Sequence, residues 1–159
     1  VTGISDGGRM ADRLGGELGD RLAAIAPVAG ALNAPDCAPG APLPVVAFHG
    51  TDDLHVRYEG GTPIVQADRH PRTDASVADS TGFWAAHNDC AAPQLQVDGD
   101  VVLDRHAPCA SAAEVWVYTL VGGQHSWPGG LRGSARGDPP FAALSASAAM
   151  WEFFARQGD

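Results

Sequence analysis

Positive charge is scarce in this chain: 10 Lys+Arg stand against 19 Asp+Glu, for a formal net charge of −9. An acidic surface gains no counterion-release affinity, so neither nucleic acid nor an anionic membrane is an expected partner. Long apolar runs are also missing. None approaches the ~18 residues that a spanning helix needs, and the longest candidate, Leu22 to Leu32, is broken by Pro27. No Cys-x-x-Cys or histidine-rich spacing points to a metal, and no internal repeat is visible. Neither a metal nor an organic cofactor is expected. The chain opens at Val1 on what reads as the end of a strand, without an initiator methionine or a signal peptide.

What is present suits a globular chain. The apolar fraction of 45% is ordinary for a sequence that buries a core, and 159 residues make one domain or part of one. Three cysteines occur. Cys90 and Cys109 flank a polar segment, which suits a loop-closing disulfide in a secreted protein; two buried free thiols are the competing reading. Cys37 is left over, and its partner is expected outside this chain.

The elements follow from periodicity. Gly7 to Arg21 reads as a helix with Met10, Leu14 and Leu18 as its apolar stripe and with Gly15 and Gly16 allowing close packing on a sheet. Leu22 to Gly30 and Pro44 to Phe48 read as buried strands, separated by a loop over Asn33 to Gly40. Arg57 to Thr73 reads as an irregular excursion, and Ser76 to Asn88 as a helix. Ala91 to Leu103 reads as a strand pair turning at Asp98-Gly99. Glu114 to Val121 alternates as a strand, and Ala146 to Arg156 is the last helix. There Ser145 caps, and Ser147, Met150, Trp151 and Phe154 share a face. Strands alternating with helices imply a mainly parallel sheet.

The chemistry centres on Gly3-Ile4-Ser5-Asp6-Gly7, a G-x-S-x-G at the mouth of the first helix. Such a run fits a nucleophile elbow, a sharp strand-to-helix turn that holds a serine hydroxyl in the open. A glycine-rich turn with a solvated serine is the plain alternative. A serine hydroxyl needs a base to take its proton, and the base needs an acid to orient it. The chain supplies Ser5, then Asp52 or Asp53, then His125, each just past an expected strand. That order matches one of the three common serine-hydrolase orders. His125 stands in a glycine-flanked loop and is the best base. His49 is expected to bond backbone locally; His55, His70, His87 and His106 lie in polar stretches and carry little weight.

Several motifs resemble the secreted polyhydroxybutyrate depolymerase and feruloyl esterase-like family of α/β-hydrolases. They are Gly3 to Gly8 with Met10, Ala24 to Gly30, His49-Gly50-Thr51-Asp52-Asp53, and Gly122-Gly123-Gln124-His125-Ser126-Trp127-Pro128-Gly129-Gly130. The closing Trp151-Glu152-Phe153-Phe154 is similar as well. The resemblance implies Ser5 as nucleophile, Asp53 as acid and His125 as base. It also implies a Cys90–Cys109 disulfide and an extracellular setting. By it, residues 1–159 are the C-terminal half of an α/β-hydrolase catalytic domain, from the nucleophile elbow to the last helix. The N-terminal strands and the second oxyanion-hole donor would then lie in a preceding region. Only the Asp6 backbone N–H is at hand as an oxyanion donor, and the Asp6 carboxylate opposes negative charge unless it turns away. The isolated piece is expected to be poorly soluble.

The function expected from this is hydrolysis of a carboxylic ester through an acyl-enzyme. The substrate would be a polyhydroxyalkanoate or a feruloylated or acetylated polysaccharide, with Trp127 as a substrate-binding residue. A peptidase of the same fold shares the order of catalytic residues. A non-catalytic polymer-binding relative would instead use Trp84 and Trp127 for stacking.

Overall fold

The structure is a computed structural model and describes residues 1–65 and 71–157; His70 lies outside them, as does part of the excursion expected over Arg57 to Thr73. In chain order the elements are β1 (Thr2–Ile4), α1 (Asp6–Leu18), β2 (Ala26–Val28), β3 (Val45–Gly50), α2 (Val77–His87), β4 (Pro93–Asp98), β5 (Val101–His106), β6 (Val115–Leu120) and α3 (Ala146–Ala155). They build one six-stranded sheet in the order β1-β2-β3-β6-β5-β4. The first four strands are parallel. β5 is antiparallel to β6, and β4 to β5. The expected mainly parallel sheet is therefore mixed. The turn at Gly99, with φ 57, closes the expected hairpin. That this hairpin extends the main sheet is a register fact that local spacing does not carry.

Alternation along the strands sorts the core. Ala26, Val28, Val46, Phe48 and Trp116 face Met150 and Phe153 of α3. Their neighbours Ile25, Val45 and Val115 face the other way, onto Leu43 and Trp84 of α2. Phe48 and Phe153 are 1% and 0% exposed, and burying each stabilises by roughly 1.5–3 kcal/mol. β2 is shorter than the expected strand and ends at Val28, where Ala29 turns to φ 44.

Two helices are rotated from their expected faces. α1 buries Gly8, Ala11, Asp12 and Gly15, while Met10 is 55% exposed. The reason is closeness: a Cβ on Gly15 would stand 3.0 Å from both Ile25 Cδ1 and Trp84 Cη2. The glycines, not the Leu-Met stripe, form the contact face. α3 buries Ala146, Ala149, Met150 and Phe153, and Trp151 is 73% exposed. Its expected stripe was displaced by about one position. The Ser145 cap does form, accepting from Ala148 N at 3.3 Å.

Asp12 is 3% exposed and accepts a hydrogen bond from Trp84 Nε1 at 3.0 Å. Burial pushes its carboxyl pKa up to about 7, against the smaller downward pull of the Trp84 bond. The folded chain then keeps a proton that the unfolded chain releases between about pH 4 and pH 7. The contribution of Asp12 to stability therefore falls as pH rises through that window and is flat above it. Asp12→Asn should remove this slope, worth on the order of 3–4 kcal/mol. Thermal melts at pH 5 and pH 8 check it. An unchanged pH 5-to-pH 8 difference in Tm would show that the carboxyl is ionised when folded.

Cys90 and Cys109 form a disulfide across 19 residues. It ties the end of α2 to the segment after β5, beside Asn88, whose buried amide bonds Leu43 N, Leu43 O and Ala113 O. A loop of this size is stabilised by about 3 kcal/mol in the chain-entropy model. Reduction should lower Tm by roughly 6–12 °C for a chain of this length. A melt unaffected by dithiothreitol, with thiol titration showing the bond open, would contradict this. Cys37 is free and partly buried among the described residues.

Candidate active site

Ser5 closes β1 and heads α1 with φ 59 and ψ −117. A non-glycine residue held there costs on the order of 1–3 kcal/mol. The surroundings impose it: Ser5 N donates to Val28 O at 3.0 Å, and Arg9 N donates to Ser5 O at 3.0 Å. The first glycine of the motif is needed for contact. A Cβ on Gly3 would lie 2.7 Å from the backbone of Gly7. The serine is left half-buried at the carboxyl end of the parallel strands, where sites of open α/β sheets gather.

Two further loops leave the same end of the sheet, after β3 and after β6. Parallel pairing of β3 with β6 puts Gly50 opposite Leu120. Beyond that register the loops are laced by backbone bonds. Thr51 N donates to Leu120 O at 3.0 Å and Asp52 N to Gly123 O at 2.9 Å. Gly122 N donates to Thr51 Oγ1 at 2.9 Å. This lacing brings Asp53 to His125: Oδ2 accepts from His125 Nδ1 at 2.8 Å. The other oxygen of Asp53 accepts from the N–H groups of His55 and Val56, both at 2.8 Å. The Asp53 side chain is fully buried and that of His125 is 14% exposed.

Burial pushes the Asp53 carboxyl up, but the His125 bond and charge, the Val56 N–H and His49 outweigh it and hold its pKa below the usual value. Asp53 is therefore an anion aimed at one ring nitrogen of His125. Such an acid fixes the tautomer of a base and stabilises its cation. With Nδ1 so engaged, Nε2 is the nitrogen left to take a proton. Among the described residues Ser5 Oγ has no hydrogen-bond partner; the acid–base leg is formed and the base–hydroxyl leg is not. His125 is nonetheless close enough for its charge to lower the pKa of Asp6, the residue after Ser5, as a minor cause behind Arg9.

The Asp6 carboxylate turns to solvent and pairs with Arg9 one turn along α1. This answers the concern about a negative group beside the serine, since its charge is directed at a guanidinium. The Asp6 N–H stands in the first turn of α1, where the helix itself supplies no acceptor.

Other candidates sort plainly. His49 is 4% exposed, and its Nε2 lies 2.8 Å from Val56 O, the local backbone bond expected of it. Burial lowers its pKa, and the same ring nitrogen stands 3.5 Å from Asp53 Oδ2. Asp52 accepts from Thr51 Oγ1 at 3.2 Å. His87 bonds Ala41 O, and His106 lies in β5, away from this sheet end. Trp127 is half-buried against the α3 side of the core and donates to Ser147 Oγ at 3.1 Å. Trp84 is 1% exposed, so it cannot be the surface stacking residue of a polymer-binding protein.

Two groups escaped sequence reading. His55, given little weight, lies with its ring tilted beside that of His125, with Asp138 next to both. Asp74 is buried and its Oδ1 accepts from Arg9 at 3.3 Å, Asn33 at 2.6 Å and Arg72 at 3.0 Å. Arg72 also donates to His55 O at 2.8 Å. A carboxylate thus ties α1 to the Asp53 loop. The one available signal was His55's place two residues after Asp53, where an aspartate side chain commonly accepts from the backbone ahead.

No family model matches the chain. The chain is 31% identical over 139 residues to Feruloyl esterase B of Piromyces equi, covering 84% of this chain and 26% of that protein. It is also 31% identical over 148 residues to a Nocardia uniformis subsp. tsuyamanensis protein named "Putative esterase NocK", covering 82% of this chain and 42% of that protein. The chain thus spans less than half the length of either relative. Both names say esterase, and the similarity supports an esterase family in general. Among the described residues no helix is long and apolar enough to cross a membrane.

Proposed function

We propose that this chain carries the catalytic residues of a serine carboxylic-ester hydrolase of α/β-hydrolase fold, as the C-terminal part of its catalytic domain. The observation that carries the reading is the buried Asp53 carboxylate, bonded at 2.8 Å to His125 Nδ1, at the sheet end where Ser5 is held at φ 59. The similarity to two esterases supports it.

In this reading Ser5 Oγ attacks the ester carbonyl while His125 Nε2 takes its proton. The tetrahedral oxyanion is held by the Asp6 N–H at the positive end of α1. His125 then gives the proton to the departing alcohol, and an acyl-Ser5 remains. Water attacks it with the same assistance and releases the acid. Asp53 stays ionised throughout and keeps the imidazole oriented. The substrate is a polymer or polymer-linked ester, a polyhydroxyalkanoate or a feruloylated or acetylated polysaccharide, with Trp127 beside it. The disulfide is consistent with an extracellular protein.

A fluorophosphonate probe tests the proposal on the whole protein. Stoichiometric labelling of the peptide that holds Ser5, together with turnover of p-nitrophenyl butyrate, is expected. A protein that neither reacts nor turns over is a non-catalytic relative. Faster cleavage of matched amides than of esters would make it a peptidase.

A further inference from the structure

The imidazole of His125 has a second neighbour that the ester mechanism does not use. The His55 ring lies 4.8 Å from it, centroid to centroid, tilted 31°. His55 is itself pinned at both backbone ends: its N–H donates to Asp53 Oδ1 at 2.8 Å, and its carbonyl accepts from Arg72 Nη2 at 2.8 Å. Its ring Nε2 is 3.7 Å from Asp138 Oδ2. That same oxygen accepts the backbone N–H of His125 at 3.2 Å. One carboxylate thus faces the ring of His55 and holds the main chain of His125. Asp53 does the reverse, binding the main chain of His55 and the ring of His125.

We propose that His55 and Asp138 are positioning residues that hold the His125 ring in its working rotamer. The proposal rests on the ester-hydrolase reading for its kinetic consequence, but not for its geometry. A histidine ring anchored at one nitrogen can still swing about χ1 and χ2. A ring tilted 31° with its centroid 4.8 Å away closes off that swing on one side. Asp138 fixes the backbone from which the ring hangs. Misplacing a catalytic group by about 1 Å costs on the order of 10²-fold. Losing either partner should therefore lower kcat while leaving substrate binding alone.

The test uses the whole protein and two readouts. The first is proton NMR of the His125 Nδ1–H bonded to Asp53, which needs no substrate. It should be sharp in the parent protein, lost to exchange in His55→Ala and restored in His55→Phe, which keeps a flat ring without a charge. Asp138→Ala should broaden it too, and Asp138→Asn, which keeps an acceptor for His125 N–H, should retain it. The second is ester kinetics. His55→Ala should lose about 10- to 100-fold in kcat with KM within twofold, and His55→Phe should recover most of it. A sharp resonance in both alanine variants would overturn the proposal, whatever the activities. So would a kcat loss that His55→Phe does not restore. If the parent protein turns over no ester, the function reading fails and the resonance still decides this one.

Discussion

On the proposed function, Ser5→Ala should abolish ester turnover by the whole protein, lowering kcat on the order of 10⁴-fold or more with KM little changed. The expectation follows from the division of labour in the site. In the proposed mechanism the hydroxyl forms a covalent bond in the transition state and contributes little to ground-state binding, so its loss should fall on kcat. Asp53→Asn should cost about as much, roughly 10⁴-fold. Its amide would present an N–H to His125 Nδ1 and force the wrong tautomer on the base. Residues that act as one unit are not additive. The double variant Ser5→Ala/His125→Ala should therefore be no slower than either single one. Steady-state p-nitrophenyl butyrate kinetics, with active sites counted by fluorophosphonate, provide the measurement. Undiminished turnover in Ser5→Ala ends the assignment. Multiplying losses in the double variant would mean that Ser5 and His125 act separately. A side effect is expected in stability. Glycine tolerates φ 59 where serine is strained, so Ser5→Gly should be inactive and melt a few degrees higher.

The parts of this arrangement that could be read from the sequence are those set by short-range rules. The serine cap at Ser145 was legible, because a hydroxyl before an apolar helical run has one good use. The loops after β3 and β6 were legible as site loops, because polar residues ended buried strands. What failed depended on distances between elements. The α1 stripe of Met10, Leu14 and Leu18 obeyed helical period, yet the sheet came so close that only Gly8, Ala11, Asp12 and Gly15 fit beneath. Gly15 was expected to allow close packing on the sheet, but the apolar period does not show that Gly8, Ala11 and Asp12 share its face. Asp12 shows the same limit from the polar side, since its burial depends on Trp84 from α2. His55 was discounted for its polar neighbours, although its place beside His125 comes from a turn that Asp53 itself closes.

Gly50→Ala is the substitution that should damage the fold most, and the reason is the lacing of the two site loops. A Cβ on Gly50 would sit 2.1 Å from Gly123 O and 2.4 Å from Gly123 C. Both are main-chain atoms, and that same carbonyl accepts from Asp52 N at 2.9 Å. No side-chain rotation relieves the clash, so the β6 loop must move away and take His125 from Asp53. A buried backbone clash with lost hydrogen bonds belongs to the severe class, on the order of 4 kcal/mol or more. Gly82→Ala provides the opposite case. It is an exposed glycine inside α2 with nothing within 4 Å of its added Cβ. There the methyl group only narrows the unfolded chain and improves the helix, stabilising by about 0.5–1 kcal/mol. The two variants differ from the parent by the same single carbon, so chemical denaturation of each against the parent isolates position. Gly50→Ala should lose stability and ester turnover together, while Gly82→Ala keeps turnover and shifts its midpoint upward. If Gly50→Ala melted like the parent and kept its activity, the two loops could not be in contact as described, and the convergence of Asp53 on His125 would need another cause.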